Sequence, residues 1–458
     1  MPRTGAHALV VGASLTGLAT AAALADRFDQ VTVVERDALP ADGRPRTGVP
    51  QGRHGHILLP SGLQELTALL PGITDDLLAH GAHLMPVGEI RFHVAGDHLA
   101  LDDTELQILG ATRPLLESVV RSRVRALPTV EVADRLDARG LVLDGEARVA
   151  GLRVRRPDGG PETTFHGDLV VDAAGRGSRS PRWLADLRYP APDEERFDVG
   201  VHYATRLFRR RPEDLDGCRH VVAGVPPDGR RGGFAVAVED DRCLVTLVGV
   251  LGERPPTDLD GFVAYASTLE SDDLQVLAEG AQPVSEPASG AFPAYLRRRY
   301  DRLPALPAGY VVVGDAVCSL NPLYAQGMSM ALREATLLGR VLDRHGPGAA
   351  GAAFFRQATP MIDAAWTMAT GADLGHPEIG EPRTVAWRLL NRYFGRLLRT
   401  AHRDPVVANT YLRVIAMVAP MQAIVHPRIA WRVLGSHGQR SHGTASGDRQ
   451  RSTSMAGG

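Results

Sequence analysis

The first 35 residues arrange short apolar runs around a glycine-containing turn, and this pattern constrains the fold more than any other part of the sequence. An apolar run at 7–11 precedes a turn at 12–17, an alanine-rich stretch at 18–27 and a β-branched run at 31–34. Alanine favours helices, whereas β-branched residues favour strands. The order strand, turn, helix, strand predicts a βαβ unit and therefore a parallel sheet.

The turn of this unit has the spacing Gly12-x-Ser14-x-x-Gly17, a variant of the glycine-rich turn that binds dinucleotides. Gly12 permits the tight turn, Ser14 is small enough for close approach, and Gly17 lets the helix lie near the strand. Glu35 ends the second strand, where an acidic side chain accepts hydrogen bonds from an adenosine ribose. These features predict dinucleotide binding; the alternative is that the small residues only pack a helix on a sheet.

Further along the chain, strand-like and helix-like patterns alternate. Between 196 and 250, apolar and polar residues alternate, which is typical of an antiparallel sheet with one face covered. We predict that this sheet and the C-terminal helices form a substrate chamber. The other predicted elements are a hairpin at 149–155 and 162–165, strands at 168–172 and 310–313, a helix at 328–342 and helices within 353–435.

A second motif favours FAD over NAD. Gly314 and Asp315 follow the apolar run at 310–313 and lead through a loop to a helix that begins near Gly327 and Met328. An aspartate here can hydrogen-bond the ribityl chain of a flavin, and the helix start directs N–H groups toward the flavin edge that gains charge on reduction. NAD has no ribityl chain. The alternative is an ordinary turn capped by an aspartate.

These motifs resemble those of the class A flavoprotein monooxygenases, the p-hydroxybenzoate hydroxylase type. The FAD fingerprint at 10–37 and the GD motif at 314–335 carry the resemblance, together with Arg113 at 112–116 and the DG motif at 167–178. Ala174 stands where the DG motif of the family has an aspartate, and Ala325 replaces a glycine of its GxG. Over most of the chain the resemblance is closer to the polyether-ionophore olefin epoxidases of the lasalocid and monensin type. The segments that carry it are 48–58, 69–74, 203–209, 321–324 and 363–366.

The resemblance implies an α/β fold in which a Rossmann-like FAD-binding domain is interwoven with an antiparallel substrate-binding sheet and followed by C-terminal helices. The implied segments are 1–80, 101–190 and 301–345 for FAD, 81–100 and 191–300 for the substrate sheet, 346–435 for the helices and 436–458 for a disordered tail.

The resemblance also implies a reaction cycle. NAD(P)H reduces FAD, the reduced flavin captures O2 as the C4a-hydroperoxide, and an oxygen atom is transferred to an olefin of a polyketide or prenylated intermediate in specialised metabolism, such as antibiotic biosynthesis. An olefin, unlike a phenol, needs no general base, so no catalytic residue is predicted. The alternatives are an aromatic hydroxylase, a prenyl-chain reductase and an FAD-binding scaffold without redox activity.

The predicted cofactor-binding residues come from the motifs and from the resemblance. The loop with His54 and His56 is predicted to lie along the flavin, where Arg46, Gln51 or Arg53 contacts it; the alternative is a solvated basic loop. The predicted cofactor-binding residues are Gly12, Ala13, Ser14, Gly17, Glu35, Arg36, Arg53, Arg113, Asp315, Gly327 and Met328.

Composition excludes several other classes of function. All 51 basic residues are arginine, so lysine-dependent Schiff-base and P-loop chemistry is impossible. The net charge of −2 does not favour nucleic-acid binding, and three widely spaced cysteines with no CxxC pair favour neither a disulfide framework nor a metal site. The apolar stretch at 8–25 is interrupted by glycine and hydroxyl residues, so no membrane span is predicted. We expect a cytoplasmic protein that acts on a small molecule.

Overall fold

The computed structural model describes residues 3–40, 43–46, 48–102, 104–145, 147–224 and 229–435. It confirms the predicted fold class, because a parallel sheet and a large, mainly antiparallel sheet are built from interleaved segments of the chain. The predicted disordered tail at 436–458 lies outside the described residues.

The described strands fall into four sheets. They are β1 (Gly5–Val11), β2 (Phe28–Val34), β3 (Ile57–Leu58), β4 (His83–Pro86), β5 (Arg91–Val94), β6 (Asp97–His98), β7 (Gln107–Gly110), β8 (Val130–Ala133), β9 (Asp137–Asp144), β10 (Arg148–Arg155), β11 (Thr163–His166), β12 (Leu169–Asp172), β13 (Glu194–Arg209), β14 (His220–Ala223), β15 (Arg231–Val238), β16 (Arg242–Gly249), β17 (Ala288–Arg298), β18 (Tyr310–Val312) and β19 (Cys318–Ser319).

The described helices pack on these sheets or on one another. They are α1 (Leu15–Leu24), α2 (Pro60–Leu69), α3 (Ile73–Ala79), α4 (Arg113–Arg125), α5 (Ser180–Asp186), α6 (Leu259–Ala266), α7 (Asp273–Gly280), α8 (Gln326–Asp373), α9 (Val385–Ala401), α10 (Pro405–Ile415) and α11 (Pro427–Gly435).

The parallel sheet has the strand order β18-β12-β1-β2-β8. The central strand β1 pairs with β2 on one side and β12 on the other, so Val10 lies beside both Val33 and Val171. All three valines are fully buried, as expected for a sheet covered on both faces. Because the strands are parallel, their carboxyl ends share one edge, and the loops that carry the predicted motifs emerge there.

The large sheet has the order β19-β17-β13-β16-β15-β14-β5-β6. The long strand β13 pairs antiparallel with both β16 and β17. This confirms the antiparallel sheet predicted between 196 and 250. The strand β5, far away in the sequence, adds to the sheet parallel to β14.

Two helix boundaries differ from the prediction. The helix α1 begins at Leu15 rather than at 18, because extended Ser14 acts as its N-cap and Gly17 already lies within the first turn. The helix α8 begins at Gln326 and is interrupted at Gly346, whose φ of +67° breaks the helical path before Pro347. The segment division at 1–80, 81–100, 101–190, 191–300, 301–345 and 346–435 stays a prediction. Within the described ranges, no helix combines the length and apolarity that spanning a bilayer requires.

Candidate active site

A cavity of about 1550 Å³ lies between the carboxyl edge of the parallel sheet and one face of the large sheet. Single small-molecule sites are typically about 300–1,000 Å³. The cavity therefore has room for a large cofactor and a second molecule beside it. Side chains of α9 and α10 close the end that lies farthest from the parallel sheet.

The turn after β1 has the tight geometry that its glycines predict. Gly12 has φ +99°, and a β-carbon placed on it would lie 2.8 Å from the carbonyl oxygen of Ala173. A β-carbon on Gly17 would lie 1.7 Å from the carbonyl oxygen of Gly12. Neither position tolerates a side chain, so the start of α1 sits directly on the strand end. Ser14 and Thr16 line the cavity, whereas Ala13 and Gly17 pack behind them.

Glu35 joins this turn to the segment after β2. Its Oε2 accepts a hydrogen bond from the backbone N–H of Ala13 at 2.8 Å, and its Oε1 accepts one from Asp37 at 2.9 Å. A guanidinium nitrogen of Arg46 lies 3.1 Å from Oε2. A carboxylate has about four acceptor positions, so these contacts leave Glu35 able to accept from a ligand hydroxyl. Glu35 lines the cavity, and so does the largely exposed Arg36.

Two buried arginines lie beside this turn. Arg113 begins α4 and donates from Nε to Oε1 of Glu117 at 2.8 Å, while Nε of Arg46 lies 3.5 Å from Oε2 of the same carboxylate. Burial acts to raise the pKa of Glu117, but the positive charges of Arg113 and Arg46 outweigh it and lower that pKa. Nη2 of Arg46 is buried without a hydrogen-bond partner among the described residues. Both arginines line the cavity, so this end of it has guanidinium charge next to the helix start.

The loop after β18 also lies at this end of the cavity, beside the turn after β1. A β-carbon on Gly314, whose φ is +66°, would lie 2.6 Å from Cγ2 of Thr16, so the two predicted motifs are in contact. Asp315 lines the cavity beside Gly327 and Met328. Burial raises the pKa of Asp315, and the charges of Arg113 and Arg176 act in the opposite direction.

The loop that precedes α8 is held by a buried polar cluster which the sequence did not reveal. Asp373, at the end of α8, accepts hydrogen bonds from Oη of Tyr324 at 2.7 Å and from Nδ2 of Asn321 at 3.2 Å. It also accepts from the hydroxyl of Tyr295. Burial raises the pKa of Asp373 and that of Tyr324. The one sequence signal was a lone carboxylate in the otherwise uncharged helical stretch at 364–373.

The basic loop before β3 lies against the cavity, but not through Arg53. Arg53 is exposed and outside the cavity lining, whereas Arg46, Gln51, His54 and His56 line it. The loop forms a 3₁₀ turn at Pro50–Arg53, in which successive side chains point about 120° apart, and the sequence pattern did not predict this turn. Burial lowers the pKa of both histidines to about 4, with contributions from Arg53 for His54 and from Arg113 for His56. Both imidazoles are therefore neutral at pH 7.

The far end of the cavity is lined mainly by apolar side chains, with Asn391 and Arg399 of α9 beside them. It is lined by one face of the large sheet, including Tyr203 and Phe234, and by the C-terminal helices. Among the described residues, no group of three or more potential metal ligands is found. The apolar side chains at this end include Phe92, Ile108, Leu390, Phe394, Leu412 and Ile415.

Known proteins show both sequence and structural similarity to this chain. The mouse (Mus musculus) protein Squalene monooxygenase is 22% identical over 74% of this chain and 55% of its own length. No family model matches the sequence.

Solved structures share the fold at low sequence identity. A probable FAD-dependent monooxygenase from Pseudomonas aeruginosa, PqsL, matches with a TM-score of 0.62 and 17% identity over 81% of this chain and 97% of its own. A flavoprotein/dehydrogenase from Cytophaga hutchinsonii matches with a TM-score of 0.65 and 15% identity over 90% of this chain and 92% of its own. The fold is therefore that of FAD-dependent monooxygenases.

Protein Rv3254 of Mycobacterium tuberculosis, strain ATCC 25618 / H37Rv, is 36% identical to this chain, and the match covers 93% of each. Identity at this level over nearly the full length of both proteins establishes common descent, and this chain belongs to the family of Protein Rv3254.

Proposed function

We propose that this protein is an FAD-dependent monooxygenase that uses NAD(P)H and O2 to epoxidise a carbon–carbon double bond of a polyketide or prenylated intermediate. The observation that carries the proposal is a single cavity in which both predicted flavin motifs meet at one end and apolar side chains line the other. The mouse relative is named for a monooxygenase reaction with squalene, a polyene hydrocarbon. Because apolar side chains line the second end of the cavity, an apolar, uncharged olefin fits there.

The residues at the polar end fit FAD. The start of α1, with its unpaired N–H groups, and the guanidinium groups of Arg46 and Arg113 suit a pyrophosphate. The buried Nη2 of Arg46, which has no partner among the described residues, points to a missing acceptor. Glu35 would hold the adenosine ribose and Asp315 the ribityl chain, while Gly327 and Met328 at the start of α8 would lie against the flavin.

Bound FAD, once reduced by NAD(P)H, supplies the activation of O2, which no side chain of this protein can perform. The chain itself positions the olefin and keeps water out. Apolar side chains from β5, β7, α9 and α10 line the far end of the cavity, and these side chains offer no hydrogen bonds to water. Exclusion of water favours oxygen transfer over release of hydrogen peroxide.

The histidines favour an olefin over a phenol. A phenol must lose its proton to become reactive, and a general base works best when its pKa is near the operating pH. His54 and His56 line the cavity with pKa values of about 4, well below that of a useful base at pH 7. An olefin needs no such base. We also propose a cytoplasmic location and the segment division given above.

The proposal is tested with purified protein, FAD, NADPH or NADH, and a panel of polyenes and prenylated aromatic compounds under 18O2, with products identified by mass spectrometry. The expected product is an epoxide, or the diol formed from it, that contains one labelled oxygen atom. Label in a phenolic ring would favour the hydroxylase, and addition of two hydrogen atoms without label would favour the reductase. Tight FAD binding without NAD(P)H oxidation for any compound would contradict all three enzymes and favour the scaffold.

A further inference from the structure

His54 lies in the loop before β3 and is anchored to the large sheet by a chain of hydroxyl groups. Its Nδ1 is 2.9 Å from Oγ1 of Thr205, which is 2.9 Å from Oγ1 of Thr246. The two threonines are directly paired residues of β13 and β16. The backbone N–H of Gly55 donates to Oγ1 of Thr246 at 3.3 Å. Both threonines are buried, so their hydroxyl protons need acceptors within the protein.

The direction of these hydrogen bonds decides where the imidazole proton lies. If Nδ1 of His54 donated to Thr205, the Thr205 hydroxyl would donate to Thr246, and the Thr246 proton would have no acceptor among the described residues. In the opposite direction every proton is used: Gly55 donates to Thr246, Thr246 donates to Thr205, and Thr205 donates to Nδ1. An unsatisfied buried hydroxyl is costly and head-to-tail chains strengthen one another, so the second arrangement is favoured. His54 is then protonated at Nε2.

Nε2 lies beside Gly290 of β17, which lines the cavity as His54 does. His54 lines the cavity although only 8% of its surface is exposed, and Nε2 has no hydrogen-bond partner among the described residues. A β-carbon on Gly290, the residue of β17 that pairs with Tyr203, would lie 2.7 Å from Nε2. The glycine thus leaves room for the ring, which also packs against the Tyr203 ring with centroids 4.5 Å apart. The neutral state of the ring makes Nε2–H an uncharged donor.

We propose that His54 is a specificity-determining residue whose Nε2–H donates a hydrogen bond to an uncharged oxygen of the substrate, a carbonyl or hydroxyl group near the reacting double bond. The assignment to substrate rests on the proposed function. We assign the hydrogen bond to the substrate because the His54 ring lies against Tyr203 and Gly290, on the large-sheet face of the cavity. The substrate class is therefore an oxygen-bearing olefin rather than a pure hydrocarbon.

The first test reads the tautomer directly by two-bond 15N–1H correlation spectra of protein labelled with 15N-histidine. The His54 signals are identified by their absence in His54→Gln. We expect a neutral ring protonated at Nε2 in the wild-type protein, and a changed pattern in Thr205→Val. Thr32→Val is the matched control, because Thr32 lies 2.9 Å from Nε2 of His7 outside the cavity and its loss should leave the His54 signals in place. A proton on Nδ1 of wild-type His54 would overturn the proposal.

The second test measures binding of two probes to FAD-loaded protein by equilibrium dialysis: farnesylacetone, and the triene with a methylene group in place of its carbonyl. The ratio of the two dissociation constants in wild type is compared with the ratio in His54→Phe, which cancels the different hydration of the probes. In His54→Phe we expect the affinity for the ketone, relative to that for the triene, to fall by about three- to tenfold, as for loss of one neutral hydrogen bond. His54→Gln should recover part of this relative affinity. Unchanged ratios, or no binding of either probe to the wild type, would overturn the proposal.

Neither test needs NAD(P)H or O2. A protein that discriminates between the probes through His54 yet transfers no oxygen would contradict the proposed function and leave this inference standing.

Discussion

The two ends of the cavity are built in opposite ways. At the polar end, a few residues close in sequence to two tight turns are connected by hydrogen bonds, as when Glu35 accepts from Ala13 and the N–H of Gly314 donates to Oε2 of Glu334 at 2.6 Å. At the apolar end, side chains from elements up to about 300 residues apart, such as Ile108 and Leu412, share a mainly apolar surface, to which α9 also contributes Asn391 and Arg399. One end is defined by backbone geometry and charge, and the other by shape.

This difference determines how each end responds to substitution. A backbone turn at positive φ or a buried carboxylate has few substitutes, so changes at the polar end should abolish or strongly weaken ligand binding. An apolar wall is formed by many side chains, each contributing a modest area of contact. Single changes at the apolar end should therefore act gradually.

The largest effect is expected for Gly12→Ala. The new β-carbon would meet the carbonyl oxygen of Ala173 at 2.8 Å, and φ of +99° is unfavourable for alanine. We expect FAD affinity to fall at least about 100-fold, measured by fluorescence titration, since the start of α1 must move. Gly159→Ala is the matched control: φ there is +108°, nothing lies within 4 Å, and the site is remote from the cavity, so FAD binding should persist. Equal FAD affinity in the two variants would break the comparison.

Asp315→Ala should have the next largest effect. Asp315 is half-buried at the polar end and lines the cavity, so its loss removes hydrogen bonds that a carboxylate offers a ligand, worth about 2 kcal/mol. We expect about 30-fold weaker FAD binding with the fold retained, checked by fluorescence titration and circular dichroism. Asp343→Ala removes an ion pair with Arg27 elsewhere and should leave FAD binding unchanged. Comparable losses in both variants would show that Asp315 has no particular role.

The polar end also carries a cost in stability. Burial raises the pKa of Glu334 to about 7, although the N–H of Gly314 donates to it. The folded state thus binds this proton more tightly than the unfolded state does. The contribution of Glu334 to the free energy of unfolding is therefore greatest at low pH and is lost as pH rises from about 4.5 to about 7. Glu334→Gln should therefore raise the free energy of unfolding by about 3 kcal/mol at pH 8 and by less than about 1 kcal/mol at pH 5, measured by urea unfolding.

The control for this pH dependence is Glu162→Gln, whose carboxylate lies at the surface beside Arg153. Stability of that variant should parallel the wild type at both pH values. A Glu334→Gln protein with the wild-type difference between pH 5 and pH 8 would contradict the raised pKa.

Sequence reasoning is most specific where the chemistry requires residues at short, fixed spacing. Gly12, Glu35 and Asp315 were predicted because a tight turn, a strand end and a helix start each demand a residue type at one position, and the structure brings all three to one cavity. Arg53 was predicted from the same basic loop that contains Arg46. Arg46 lines the cavity and Arg53 does not, a difference that the pattern of residues does not specify.

The polar cluster around Asp373 and the apolar end could not be predicted in this way. Tyr324 and Asp373 are separated by 49 residues, and only the path of α8 brings them together. Leu390 and Ile415 cannot be distinguished by residue type from leucines and isoleucines of the core. Long-range packing decides which of them face the cavity. The sequence therefore predicted which sheet and helices form the substrate chamber, but not which of their side chains line it.

The smallest effect is expected for Leu390→Asp at the apolar end. Leu390 is 42% exposed at the edge of the cavity, so a carboxylate there stays hydrated and the fold is retained. Part of the apolar wall is lost, at a cost of about 1 kcal/mol in binding. We expect farnesylacetone to bind about fivefold more weakly in equilibrium dialysis, while FAD affinity stays unchanged.

Val385→Asp is the matched control for that variant, because Val385 belongs to the same helix, is 66% exposed and lies outside the cavity lining. It introduces the same charge without touching the wall, so both ligands should bind as in the wild type. If Leu390→Asp weakened FAD binding as much as probe binding, the two ends would be coupled, and the contrast between a geometric and an apolar end would fail. If both aspartate variants weakened the probe equally, the effect would arise from charge near the mouth, and α9 would not form part of the wall.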